Sequence, residues 1–330
     1  MIKKLLVIFL LIYPQFSHSS EEIDFNIWLD KFKIKALKKG ISEKTITNSF
    51  KNVKYLEQVI KYDRYQPEFF EDTKTYINKR ATRSRMRKAK RLLIKNQKLF
   101  DEVEKKFKVE KELLLALWGI ETNFGKNVGK MDIISSLATL SFDKRRSEFF
   151  SKELIILLKL IDQKLIDADT LFGSWAGAFG NFQFMPSAIK NYAIDYDKNN
   201  KIELKQSLHD AIASAANYLN KIGWKYQSSC FYKVKLTKPI SKKYINTSAK
   251  KIKNYLAIKS WKKKGIVDIE QISDENKAAL VIPDLAVTEG NENSPAFLVF
   301  DNYEKILKWN RSLRFGVTVC TLANMIKNEI

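Results

Sequence analysis

The residues of this chain best able to do chemistry gather in two short segments. The first, ALWGIETNFG (116–125), ends an apolar run on one carboxylate, Glu121. On a helix over 110–122, Leu117 and Trp118 lie one turn before Glu121 and share its face. Asn123 and Gly125 then stop the helix, which puts Glu121 in its last turn. Apolar neighbours desolvate a carboxylate anion, and the negative end of the helix dipole disfavours it. Both effects keep a carboxyl protonated near neutral pH, as a general acid requires. The second segment, GSWAGAFGNFQFMPSA (173–188), packs Gly173, Gly177 and Gly180 into eight residues, which lets backbone approach a ligand closely. Trp175, Phe179, Phe182 and Phe184 could stack on sugar faces or fill a core. Ser174 and Gln183 could hydrogen-bond sugar hydroxyl or acetamido groups. An acid at a helix end beside such a loop suits an enzyme that cuts a polymer threaded through a cleft.

Most glycosidases use two carboxylates. Asp132 and Asp143 are nearest to Glu121 in sequence, and neither sits in a segment of comparable character. A partner distant in the chain and a mechanism with one carboxylate both stay open. The two histidines, His18 and His209, and the absence of HExxH, CxxC and GxSxG leave zinc and serine-nucleophile chemistry poorly supplied. DYDKNNKIELKQ (195–206) spaces Asp195, Asp197 and Asn199 as the first, third and fifth ligands of a calcium loop. Its sixth position is Asn200, where such a loop has Gly, and its twelfth is Gln206, where it has Glu. An Asx-rich turn is the better reading, with Asp210 as a substitute ligand if calcium binds.

The elements that must hold these residues are mostly helical. Residues 23–60 are amphipathic, 76–108 read as one or two basic helices, and 110–122, 148–166, 187–194, 208–222 and 312–328 carry helical patterns. After Trp224 the pattern changes. CFYKVKL (230–236) alternates as a half-buried strand does, and KAALVIPD (277–284) and PAFLVFD (295–301) are further strand candidates. The reading is a mainly α (α+β) chain with a small β region near 228–300 and a last element that returns to the helical body. No internal repeat or low-complexity block breaks it.

Lys and Arg number 59 against 37 Asp and Glu, a net charge of +22, which favours an anionic partner unless the lysines only decorate solvated faces. Lys79 to Arg91 holds eight basic residues in thirteen, which suits a solvated helix face or a contact with an anionic wall polymer better than a nucleic-acid arm. The start, MIKKLLVIFLLIYPQFSHSS, reads as an export signal over residues 1–20, with Lys3 and Lys4 before an apolar stretch of ~9 residues. No Cys lies near its cleavage region, so a lipid-attached N-terminus is not expected, and the mature chain is read as exported and soluble. Cys230 and Cys320 either pair as one disulfide or stay as two buried thiols.

Six ordered blocks carry a resemblance over nearly all of the mature chain: DRYQPEF (63–69), WGIETNFG (118–125), LATLSFDKRRSEFF (137–150), the glycine loop at 173–188, DAIASAANYL (210–219) and WNRS (309–312). In these the sequence resembles the lytic murein transglycosylase B family. The resemblance implies a lysozyme-like helical core at 106–227, an N-terminal helical region at 21–105, a small β region at 228–300 and a C-terminal segment at 301–330. It implies that Glu121 is a lone acid/base acting on peptidoglycan between N-acetylmuramic acid and N-acetylglucosamine, with a 1,6-anhydro end as product. It further implies that Ser174, Gln183, Arg145, Arg146, Asn310 and the Phe315 position contact substrate. The family often has Tyr at that last position. No cofactor is implied beyond calcium. The implied partners are glycan strands and, in the periplasm, other wall enzymes, and nucleic acid is not among them. The competing readings are a hydrolytic muramidase and a basic wall-binding protein without activity.

Overall fold

The structure is a computed structural model that describes residues 20–66, 70–168, 171–286 and 294–329. The export-signal stretch before Ser20 and the end of DRYQPEF at 67–69 lie outside the described residues. The amphipathic start resolves into α1 (Ser20–Lys38), α2 (Glu43–Phe50) and α3 (Glu57–Arg64). The basic stretch that follows becomes three helices, α4 (Thr73–Arg80), α5 (Arg83–Lys95) and α6 (Gln97–Phe107). The body continues with α7 (Lys111–Thr122), α8 (Ile133–Phe142), α9 (Ser147–Asp162), α10 (Pro186–Tyr192) and α11 (Leu208–Lys221). Side chains that bond orphan N–H groups start several of these helices. Ser42 accepts from the Thr45 N–H, Asp132 from Ser135, and Ser207 from Asp210.

A short pair, β1 (Met131–Asp132) and β2 (Phe172–Gly173), runs antiparallel beside the glycine loop. The larger sheet comprises β3 (Phe231–Leu236), β4 (Ile245–Asn246), β5 (Leu256–Ala257), β6 (Ile266–Val267), β7 (Lys277–Val281) and β8 (Ala296–Val299). Its order is β4-β7-β8-β3-β6, with β5 also on β7, and only the β4–β7 pair is parallel. Strands β7 and β8 are buried on both faces, so they read as unbroken apolar runs. The strand period of two splits their side chains between two cores. Ala279, Val281, Phe297 and Val299 join the large helical core, whereas Ala278, Leu280, Ala296 and Leu298 face a second cluster. That cluster is closed by Ile258 and Trp261 of α12 (Ile258–Lys263), whose Trp261 Nε1 donates to the Ala278 carbonyl at 2.8 Å.

The chain then returns to the body through α13 (Asp301–Trp309) and α14 (Leu313–Glu329), the latter packed on α7, α4 and α5. Cys230, at the entry to β3, is joined to Cys320 of α14 across 90 residues. The disulfide thus fastens sheet to body, the first of the two alternatives for these cysteines. Strands β4, β5 and β6 had no signal in the sequence, because two residues are too few to display a period.

Five of the eight cations in the basic run are exposed, and three, Arg80, Arg85 and Lys88, are half-buried with partners in the fold. Arg80 pairs with Glu71 at 2.6 Å and lies over the Tyr76 ring at 3.7 Å. Arg85 donates to the carbonyls of Lys79 and Arg80. Lys88 donates to the Asn123 carbonyl at 3.0 Å, where it caps the negative end of α7.

Candidate active site

Helix α7 is buried from Leu113 to Gly119 and ends where the sequence says it should. Asn123, Phe124 and Gly125 take positive φ of 51°, 60° and 78°, turning the chain sharply away just after Glu121. Thr122 and Trp118, on either side of Glu121 in the last turn, are anchored by one residue of the glycine loop. The Trp118 indole donates to Asn181 Oδ1 at 2.9 Å, and the Thr122 hydroxyl donates to the Asn181 carbonyl at 2.8 Å. The Asn181 amide in turn donates to the carbonyls of Leu204 and Lys205. Asn181 therefore holds three segments together: α7, the glycine loop and the loop before α11. Gly180 makes the approach possible. Its φ is +76°, and a Cβ there would stand 2.7 Å from Leu204 Cβ.

The Glu121 carboxylate is met from the far end of the chain. The Trp309 indole donates to Glu121 Oε1 at 3.0 Å. Trp309 is itself fixed by rings: Tyr218 stacks on it at 4.8 Å, Tyr192 stacks on Tyr218 at 4.3 Å, and Phe184 closes one side at 5.2 Å. The Tyr218 hydroxyl donates to the Lys308 carbonyl, and burial pushes it up to about 12, so it stays a neutral donor. Trp309 forms part of the wall of a cleft of about 650 Å³, with Trp175, Gln183, Arg146 and Asn310 around it. Among the described residues lining that cleft the one acid is Glu153. It is 4 % exposed, and its two oxygens accept from the Ser187 N–H at 2.8 Å and hydroxyl at 2.7 Å, at the start of α10.

Beside the cleft, Asp63 is buried and ringed by arginines. Arg145 donates to it through Nε at 2.7 Å, Arg64 through a terminal nitrogen at 2.6 Å, and Arg146 bonds its other oxygen. Arg64 also reaches Asp143 at 2.7 Å. Burial pushes the Asp63 carboxyl up, but hydrogen bonds and charge from Arg145 and Arg146 outweigh it and hold it below the usual carboxylate value.

Residues 24–324 match the family described as Transglycosylase SLT domain. The chain belongs to this family. Within it, the chain is 44 % identical over 117 residues to the membrane-bound lytic murein transglycosylase B of Escherichia coli (strain K12), a match covering 35 % of this chain and 32 % of that protein. The chain thus aligns with about a third of that curated relative. SltB3 from Pseudomonas aeruginosa, solved in complex with NAG-NAM-pentapeptide, superposes with a TM-score of 0.81 at 31 % identity, covering 92 % of this chain and 79 % of that one. The Escherichia coli lytic transglycosylase Slt35, solved with calcium, shares the fold at a TM-score of 0.75 and 24 % identity, covering 93 % of each. The mainly helical, lysozyme-like fold read from the sequence is that of this SLT transglycosylase family.

Of the residues singled out in the sequence, the SLT fold gathers Gln183, Arg146 and Asn310 at one cleft, and Trp309 connects that cleft to Glu121. Ser174 lies beside the cleft residues Trp175 and Ala176, and its hydroxyl accepts from the Ala178 N–H at 3.0 Å to close the loop. Gln183 spends its amide nitrogen on the Val128 and Gly180 carbonyls. Arg145 is turned to Asp63 rather than into the cleft. Phe315 departs from expectation. It is 3 % exposed on α14 and belongs to the large core, because that helix is apolar on nearly every side in its first turns. A phenyl ring there packs the body. Phe179, Phe182 and Phe184 are core residues as well, whereas Trp175 is half-buried in the cleft wall. Asp132 and Asp143 serve a helix cap and an ion pair. Trp309, Asp63, Asn181 and Glu153 escaped individual notice. The first three lie in blocks that carry the resemblance, and that was their only signal; Glu153 had none.

In the acidic loop, carboxylate oxygens of Asp195, Asp197 and Asp210 lie within 4.8 Å of one another. Asn200 takes the left-handed φ of 68° at the position where calcium loops use Gly. Asn199 turns its oxygen to the Lys201 N–H and its nitrogen to Glu203. Asp210, fully buried, has its carboxyl pushed up by burial against the N–H bonds it accepts from Glu203, Tyr196 and Asp197. The set is all oxygen, which suits a hard divalent cation, and Asp210 brings to it a carboxylate from outside the twelve-residue loop.

Proposed function

We propose that this chain is a lytic transglycosylase of peptidoglycan, exported to the periplasm, with Glu121 as its single acid and base. The observation that carries this reading is the hydrogen bond by which Trp309, in the cleft wall, holds Glu121, whereas the one acid among the described lining residues, Glu153, has both oxygens on Ser187. An indole N–H can only donate, so Trp309 holds Oε1 as an acceptor in both charge states of Glu121. Protonated Glu121 gives its proton to the glycosidic oxygen as the C1–O bond to N-acetylglucosamine breaks. The Glu121 carboxylate then takes the proton of the muramic C6 hydroxyl as that oxygen bonds to C1. The proton is returned to Glu121, no water is consumed, and the product carries a 1,6-anhydro ring. Because the nucleophile belongs to the reacting sugar, its high effective concentration makes a second carboxylate dispensable. Trp175, Gln183 and Asn310 are placed to orient the sugars.

A hydrolytic muramidase would draw its second carboxylate from Glu153. The two readings separate in Glu153→Gln. That variant should keep its rate within about tenfold, below the 10²–10⁴-fold worth of a general acid or base. It should lose about 1–3 kcal/mol of stability, because one Ser187 donor is left facing an amide NH₂. Turnover of purified sacculi together with thermal melts decides it; a loss of activity in a folded variant would favour hydrolysis.

We also propose that Asp195, Asp197 and Asp210, with Asn199, hold calcium and pin their loop to α11. Calcium that binds only the folded chain raises the melting temperature by mass action. Saturating calcium should therefore shift the melting temperature up by a few degrees relative to chelator, and Asp197→Ala should abolish the shift.

A further inference from the structure

A cavity of about 1020 Å³ lies between α4, β3, β8 and α14, away from the candidate active site. Its near end on α14 is Thr321, its far end Asn328, and Asn310 of the catalytic cleft precedes that helix. At 1.5 Å per helical residue, Met325 in the groove stands roughly 20 Å along the axis from Asn310. Three lysines from three different elements line the groove: Lys74 of α4, Lys233 of β3 and Lys327 of α14. All three are exposed, and none is ion-paired among the described residues. No Asp or Glu is among the described lining residues. Ile77, Tyr232 and Met325, each half-buried, supply its apolar surface.

Such a wall is unfavourable for a cation and incomplete without an anion. The three lysines give the groove a positive potential that draws anions. A ligand that fits must carry two or more anionic groups close to small apolar ones. A bare polyanion would leave the apolar surface wet, and a neutral glycan would leave the lysines unmatched.

We propose that this groove binds an acidic peptide of the wall polymer, taking its carboxylates on Lys74, Lys233 and Lys327 and its apolar side chains on Ile77, Tyr232 and Met325. The proposal rests on the peptidoglycan reading, since that polymer hangs short acidic peptides from its glycan. A groove about 20 Å from the reacting sugar holds a peptide other than that sugar's own, from farther along the strand or from a neighbouring one. The site is then a second hold on the wall, which raises the local concentration of glycan at the cleft without touching the chemistry.

The test is calorimetric binding of a synthetic acidic stem-type peptide, free of glycan, and of its fully amidated counterpart. Four proteins are compared: wild type, Glu121→Gln, the groove triple variant K74E/K233E/K327E, and a surface control K38E/K39E/K44E with the same change in net charge. The control lysines are exposed on and beside α1 and α2. Wild type, Glu121→Gln and the control should bind the acidic peptide alike. The groove variant should lose at least tenfold in affinity, and amidation should cost wild type at least tenfold. Circular dichroism and melting curves verify that each variant is folded. Equal binding of acidic and amidated peptides, equal loss in the groove and control variants, or retention of anionic vesicles or oligonucleotides in place of peptide would overturn the proposal. Peptide binding is read without glycan cleavage, so its failure is separate from a failure of the catalytic reading, which Glu121→Gln activity reports.

Discussion

Glu121→Gln is expected to lower peptidoglycan turnover by about 10³-fold or more while leaving glycan binding and the fold in place. A general acid contributes about 10²–10⁴-fold, and here one carboxyl supplies both the acid and the base step. The substitution is nearly isosteric, and the Gln carbonyl can still accept from the Trp309 indole that now donates to Glu121. Neither the ring stack behind Trp309 nor the Asn181 anchors on Trp118 and Thr122 are touched. The loss should therefore fall in kcat, with KM for sacculi little changed, the pattern of an interaction made only on the way to the transition state. Steady-state turnover and a binding assay on the same preparation separate the two quantities. A variant that melts like wild type yet retains a tenth of its activity would remove Glu121 from the chemistry.

Asp63→Ala should have the largest effect on stability. Its carboxylate, 1 % exposed, sits among Arg64, Arg145 and Arg146, and removal leaves their charges crowded without a common counter-ion. Breaking a buried pair costs about 3–5 kcal/mol. The arginine ends here are about two-fifths exposed, and Arg64 keeps Asp143, so the lower end of that range is expected. The effect should depend on pH in a fixed direction. The folded carboxyl is held below its ordinary value, so its stabilisation is fully present above the unfolded pKa, about 3.9. That stabilisation is lost as pH falls through the lower, folded value. The gap in melting temperature between wild type and Asp63→Ala should be constant from pH 7 to about 5 and close in stronger acid. Because Arg146 lines the cleft and would be released, activity should fall too.

How much of this could be read in the sequence depends on the distance over which residues act. Glu121 was legible because its setting is local: an apolar run before it and Asn123 and Gly125 after it, all within one helix and its turn. The glycine loop was legible for the same reason. What was not legible is what arrives from elsewhere. Trp309 is 188 residues from the carboxylate it bonds, and Arg145 is 82 residues from Asp63. No periodicity reports such pairs. Phe315 was misplaced because a position within α14 faces the core or the cleft according to how the helix packs on α7, which composition does not fix. The acidic loop shows a third case. Counting ligands over twelve residues finds Gln206 at the end and a broken site, whereas the fold folds Asp210 back from α11 to within reach of Asp195 and Asp197.

Mass spectrometry of the muropeptides released from purified sacculi bears most directly on a single carboxyl closing a sugar on itself. The wild-type chain should release products with 1,6-anhydro-N-acetylmuramic acid ends, lighter by one water than their hydrolysed counterparts and resistant to borohydride reduction. Products with reducible ends that incorporate oxygen from labelled water would contradict it.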